Sequence, residues 1–130
     1  MRLFILLVCC ISMYAASGQQ ISVSDIQPDK EFENVYSKQL YSDSLTTTFI
    51  IWIKQSVPLH KHAYHTEQVV VLEGTGEMIL GDSILQVRAG DHITIPLGTP
   101  HAVKVTSAAP LKVISIQAPY FDGTDRIKLE

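Results

Sequence analysis

Beyond Cys9 and Cys10 the chain has no cysteine, and both fall within its first eighteen residues. The rest of the chain therefore has no disulfide framework, cysteine nucleophile or thiolate metal ligand. Basic clusters are also missing. Ten Lys and Arg stand scattered against thirteen Asp and Glu, a formal net charge of −3, which speaks against nucleic acid and anionic membrane surfaces as partners. The longest apolar run, Leu3 to Ile11, is well short of the ~20 residues a membrane span requires. Internal repeats, low-complexity tracts and convincing helical periodicity are absent too. One compact domain with one core is what a chain of 130 residues then supports.

The first eighteen residues read as an export signal. Arg2 gives the positive start, Leu3 to Ile11 the apolar stretch, and Ala15-Ala16-Ser17-Gly18 a small-residue cleavage region. The mature protein would then be periplasmic or secreted. Lipid attachment at Cys9 or Cys10 is disfavoured, because Val8 is not the small residue expected before a lipid-modified cysteine. Cleavage removes both cysteines and Arg2, leaving nine basic against thirteen acidic residues, a net charge of −4. A domain of that kind rests on its hydrophobic core alone.

What is present is a succession of short β-type segments. Residues 19–34 are polar and contain Pro28, and read as a loosely attached arm or an edge strand awaiting a partner. From Val35 onward come runs rich in β-branched and aromatic residues: Val35 to Tyr41, Thr46 to Lys54, Val57 to His62, Glu67 to Glu73, Glu77 to Leu80, Ile84 to Val87, His92 to Ile95, His101 to Thr106 and Leu111 to Gln117. Glycine- and proline-containing turns separate them, with Gly81-Asp82-Ser83 a clear hairpin signal. The pattern predicts an all-β sandwich or barrel over residues 35–130. In Thr46 to Lys54 both faces are apolar, with Phe49, Ile51 and Ile53 on one and Ile50 and Trp52 on the other. That suits a strand between layers or one covered by a partner subunit. The tail from Pro119 to Glu130 is expected to pack loosely over the barrel.

The chemistry concentrates in His60-Lys61-His62-Ala63-Tyr64-His65-Thr66-Glu67. Two histidines two apart share one face of an extended strand. Glu67 follows after a gap long enough to end that strand and begin another, so two strands can aim imidazole and carboxylate at one divalent transition metal. A fourth ligand must come from elsewhere, and His101 is the candidate. His65 reads as a rim residue and weak substrate contact. Tyr64 is a second weak contact, although packing on a neighbour explains it equally. His92 alternates with Ile93 and Ile95 and should face outward if those two face in. Beyond the ligands, only Glu77 and Tyr64 offer themselves as general bases.

The motifs resemble those of the cupin superfamily. His60-x-His62, four residues, Glu67, six residues, Gly74 is similar to the first cupin motif. Gly90, five residues, Pro96-x-Gly98, two residues, His101 is similar to the second. Two departures stand out: Lys54 where the family has a glycine, and Val105 where it often has asparagine. The resemblance implies a double-stranded β-helix, or jelly roll, holding a metal at its mouth through His60, His62, Glu67 and His101. It also implies a homodimer. Iron, manganese, nickel, copper and zinc all suit that donor set. The expected activity is a metal-dependent enzyme, of oxygenase or isomerase type, acting on a small oxygenated organic molecule. The alternatives are a non-catalytic module binding a sugar or small acid, and a barrel whose metal is purely structural.

Overall fold

A computed structural model describes residues 18–130. The export signal expected over residues 1–18 lies, all but Gly18, outside the described residues. Ten strands follow in order: β1 (Val35–Ser42), β2 (Thr47–Ile53), β3 (Ser56–Lys61), β4 (Thr66–Glu73), β5 (Thr75–Leu80), β6 (Ser83–Arg88), β7 (His92–Ile95), β8 (His101–Val105), β9 (Leu111–Ala118) and β10 (Ile127–Lys128). There is no helix among the described residues. Two five-stranded sheets, ordered β1-β2-β9-β4-β7 and β10-β3-β8-β5-β6, pair antiparallel throughout. Consecutive strands alternate between the sheets at β2/β3 and β3/β4, the wrapping of a double-stranded β-helix.

Alternation along each strand decides what lies between the sheets. Inward side chains include Ile53, Val71, Met78, Val87, Ile93, Ile95, Leu111 and Val113, which form one buried apolar cluster. His92 and Thr94 face out, as the alternation in β7 predicts. Val105 packs against the same cluster and does not line the cavity, so the departure there adds to the core.

The second apolar face of β2 needs no partner chain to cover it. Ile50 and Trp52 are buried within this chain. Tyr36, which lies opposite Trp52 in the β1–β2 ladder, stacks on it at 5.8 Å, and Phe32 stacks on Tyr36 at the same distance. Lys112 is opposite Trp52 on β9 and only 2 % exposed, its ammonium 5.7 Å from the indole and 3.2 Å from Glu73. A buried lysine survives because its charge has a carboxylate and a ring face to meet.

Phe32 belongs to the arm, which is neither a strand nor loosely attached at its end. Lys54 donates to the Phe32 carbonyl at 2.6 Å and sits over its ring. The Asn34 side chain accepts from the N–H groups of Gln55 and Ser56 and donates to the Ser56 carbonyl. Asn34 thus organises the turn that follows Lys54, the position where a glycine was expected.

Two backbone features place the site. Between Val57 and His60 the β3–β8 register slips by one residue, a bulge at Pro58 and Leu59. Without it, residues three apart would face opposite ways; with it, Val57 and His60 both line the interior. Gly98 adopts a φ of +75°, and its N–H donates to the His62 carbonyl at 2.7 Å. That left-handed turn is open to glycine at little cost and ties the loop before His101 to the first histidine pair.

Candidate metal centre

His60 projects inward from β3, directly opposite His101, the first residue of β8. His62 lies just beyond the end of β3, and Glu67, the second residue of β4, faces them from the other sheet. All four are buried. Ring-nitrogen donors of His60, His62 and His101 lie within 4.8 Å of one another. Glu67 Oε2 stands 3.4 Å from His62 Nε2 and 3.3 Å from His101 Nε2. Donors that each reach one ion at about 2.0–2.2 Å stand roughly 3 to 4.4 Å apart, so the three imidazoles have about the size of a single coordination sphere, with Glu67 adjoining it on the side of His62 and His101.

The orientation of the rings is more telling than their proximity. His60 Nδ1 donates to the Pro58 carbonyl at 2.8 Å and His101 Nδ1 to the Thr99 carbonyl at 2.9 Å. His62 Nδ1 donates to the Asp125 carbonyl. A carbonyl oxygen can only accept, so each Nδ1 carries the proton and each Nε2 carries the lone pair. The Nε2 atoms of His62 and His101 are buried without a hydrogen-bond partner. Buried lone pairs left unsatisfied in concert are what a cation site requires. The fourth donor is held as well: Ser115 Oγ donates to Glu67 Oε1 at 2.5 Å, leaving Oε2 on the side of the histidine lone pairs.

Electrostatics within the cluster follow from burial and neighbours. Loss of solvent pushes His60 down to about 4, with repulsion from His101, Arg126 and His62 adding to it and the Pro58 carbonyl opposing it. Burial also works against charge on His62, but the Glu67 carboxylate and the Asp125 carbonyl outweigh it and raise its pKa. Burial alone would raise Glu67; His101, His62 and Ser115 overcome that and hold it far below the usual carboxylate range. Glu67 is therefore an anion at any physiological pH, as a metal ligand should be.

The cluster opens into a cavity of about 420 Å³ that runs into the barrel. Val57, Val69, Met78, Ile95, Val103 and Val113 give it an aliphatic wall, and Phe121, Asp122 and Arg126 of the tail stand along it. Phe121 packs edge-on against His62 at 5.5 Å and against Phe49 at 6.2 Å.

Residues 48–117 match the family model of the cupin domain. The chain belongs to the cupin family. It is 34 % identical over 82 residues to an uncharacterised protein of Aquifex aeolicus, a stretch covering 63 % of this chain and 67 % of the relative. It is 32 % identical over 72 residues to the xanthan biosynthesis protein XanB of Xanthomonas campestris pv. campestris, covering 55 % of this chain but only 15 % of that protein. The barrel superposes on a Klebsiella pneumoniae protein with a double-stranded β-helix domain at a TM-score of 0.73 and 17 % identity, over 88 % of this chain and 99 % of the other.

This cupin brings together the four residues singled out by its motifs and separates the others. Tyr64 is 74 % exposed and does not line the cavity. His65 is not on the rim. It is buried, its Nδ1 2.6 Å from an Asp125 carboxylate oxygen and its Nε2 donating to the Tyr120 carbonyl at 2.8 Å. Glu77 is exposed on β5, where it accepts from Gln86, and is no base for this cavity. The tail is not loose either. β10 pairs with β3, and Asp125 accepts from the N–H groups of Ala63 and Tyr64 as well as from His65. Burial favours a neutral Asp125 carboxyl, but His65 and the two N–H groups outweigh it and hold it at about 2. Asp125, Ser115 and Gln117 are the residues of the site that motif spacing does not reveal. The last two share the inward phase of β9 with Leu111 and Val113, a readable sign; Asp125 has none.

Proposed function

We propose that this cupin holds a divalent transition metal on His60, His62, Glu67 and His101 and acts as an enzyme of oxygenase or isomerase type on a small oxygenated organic molecule in the barrel. The observation that carries this is the set of three imidazoles whose Nδ1 protons are all spent on main-chain carbonyls. When bound, the ion supplies a Lewis-acid centre and, if it is iron, manganese, nickel or copper, redox chemistry as well. The protein's part is positional. Main-chain carbonyls of Pro58, Thr99 and Asp125 hold the rings, Ser115 holds the carboxylate, and the aliphatic wall with Phe121 shapes the space beside them. Export, and pairing into a homodimer, belong to the same reading and rest on residues 1–18 and on the family resemblance.

Elemental analysis of protein purified without added metal is the direct test. About one equivalent of transition metal per chain is expected in the wild type, and none in His62→Ala. A folded wild type that refuses iron, manganese, nickel, copper and zinc alike would sink the reading. A second reading, a binding module without turnover, is favoured by one observation: apart from Glu67, the carboxylate lining the cavity is Asp122, exposed at its mouth. A thermal-shift screen of sugars and small oxygenated acids, followed by product analysis for each hit, separates enzyme from module.

A further inference from the structure

We infer that Gln117 recognises the ligand of this cavity, and that the ligand is a singly charged α-hydroxy acid with a short aliphatic body. The inference rests on the metal reading above and narrows it to a substrate class. Gln117 is 6 % exposed, and its Oε1 is buried with no hydrogen-bond partner. It lies directly opposite Glu67 in the β4–β9 ladder, so the two side chains point to the same side of the sheet, and both line the cavity. Its main chain is fully employed: the carbonyl accepts from Thr46, and the strand pairs with β2 and β4. The amide is the part left unused.

A buried amide oxygen with no partner is costly to keep unless a donor arrives to meet it. Beside it on β9, Ser115 is already committed to Glu67, and Leu111 and Val113 are apolar. The orphaned Oε1 can only accept, so what meets it is a donor: the hydroxyl of an α-hydroxy acid fits, while the amide NH2 beside it donates to the adjoining carboxylate. Charge narrows the class further. Asp122 and Arg126, both exposed in the lining, offset each other. A divalent ion with one carboxylate and three neutral imidazoles keeps one positive charge in the buried site, which a monoanion cancels where water cannot. Val69, Ile93, Ile95, Val103 and Val113 form an apolar wall that suits an aliphatic body, and the other polar residues of the lining, such as Ser37 and Gln39, are exposed.

Cobalt(II)-loaded protein provides the test, with cobalt stoichiometry measured by equilibrium dialysis before any ligand is added. Titration with 2-hydroxyisocaproate, followed through the visible absorption of cobalt, is compared with glycolate, which lacks the aliphatic body. Wild type is expected to bind 2-hydroxyisocaproate more tightly than glycolate. Gln117→Leu should bind cobalt equally, melt at the same temperature or higher when metal-free, and show a dissociation constant for 2-hydroxyisocaproate about tenfold or more higher. Gln117→Asn, which keeps the amide but withdraws it, should weaken binding in the same direction. Unchanged ligand affinity in both variants overturns the assignment. So does a Gln117→Leu protein that melts several degrees lower or fails to fold, because the amide would then be a structural group. Indifference of the cobalt-loaded wild type to 2-hydroxyisocaproate overturns the ligand class. A wild type that takes no cobalt removes the metal reading itself and this one with it, a failure that the dialysis step tells apart from the others.

Discussion

Along β9 the inward side chains run Leu111, Val113, Ser115, Gln117, and along β4, in the opposite direction, Val71, Val69, Glu67. Each strand passes from an apolar end of the barrel to a polar one. At the apolar end, Ile53, Val71, Met78, Val87 and Leu111 fill the space between the sheets, each contributing roughly 1.5–3 kcal/mol by leaving water. At the polar end, the same sheet geometry buries three imidazoles, a carboxylate and a carboxamide, several of them unsatisfied. One end supplies the stability that the other consumes. A site of this kind is tolerable only because the strands that build it are anchored elsewhere.

If that division is real, the two ends should respond independently to mutation. The largest effect expected is at the polar end. His101→Ala should lower transition-metal affinity by more than the roughly 100-fold that loss of an outer hydrogen-bond partner can cost, while the metal-free protein stays folded. Competition with a chelator of known affinity measures it. Next comes the apolar end: Leu111→Ala should cost about 2–3 kcal/mol in urea denaturation, near the low end for such a deletion because one side of Leu111 already faces the cavity. Its metal affinity should be that of the wild type. Loss of metal binding in folded Leu111→Ala, or unfolding of metal-free His101→Ala, would break the division.

The apolar end was the more legible of the two in sequence. Alternation alone sets His92 on the face opposite Ile93 and Ile95, and separates Phe49, Ile51 and Ile53 from Ile50 and Trp52. The three histidines and Glu67 of the polar end are legible as motif spacing, but the geometry that makes them converge is not. Period two aligns His60 with His62, yet His60 shares a face with Val57 only through the bulge at Pro58 and Leu59, and a bulge leaves no mark on periodicity. Asp125 was illegible for a different reason. It sits in a charged tail, sixty residues from the loop it holds, and a long-range clamp carries no local pattern. His65 was misread as a rim residue for want of Asp125.

The tail joins the two ends in a way that a third experiment sharpens. Asp125 offers its main-chain carbonyl to His62 and its carboxylate to His65 and the N–H groups of Ala63 and Tyr64. Asp125→Asn keeps the carbonyl but weakens the clamp on the loop, so metal affinity should fall about tenfold, within the range for partners behind a ligand. Stability should fall as well, by an amount that depends on pH. The Asp125 carboxyl is held at about 2, below its ordinary value of 3.8. Its contribution is complete above the ordinary value and disappears as pH falls through about 2. Melting curves of wild type and Asp125→Asn should therefore converge on acidification. Curves that stay equally far apart from pH 6 to pH 2 would show that the charge is not what holds the loop.

The smallest effect is the most specific to the polar end, because it sets two of its histidines against each other. His60 is pushed down to about 4 from an ordinary 6.5, so the unfolded chain binds its proton first on acidification. The stabilisation from His60 is present above pH 6.5 and is lost as pH falls toward 4. His62 is raised, so its contribution to the metal-free protein is present below pH 6.5 and is lost as pH rises through its folded value. A metal needs both rings deprotonated, and the proton it must displace is therefore the one on His62. Affinity should start to fall while pH is still above 6.5, earlier than an ordinary imidazole would dictate, with proton release on binding that grows as pH is lowered from 8 to 6. Glu67 is the leading cause of the upward shift, so Glu67→Gln should weaken the metal overall yet move the onset of that fall to lower pH. Calorimetry in buffers of different ionisation enthalpy reads the proton count. A count that stays at zero across this range would place the proton somewhere other than His62.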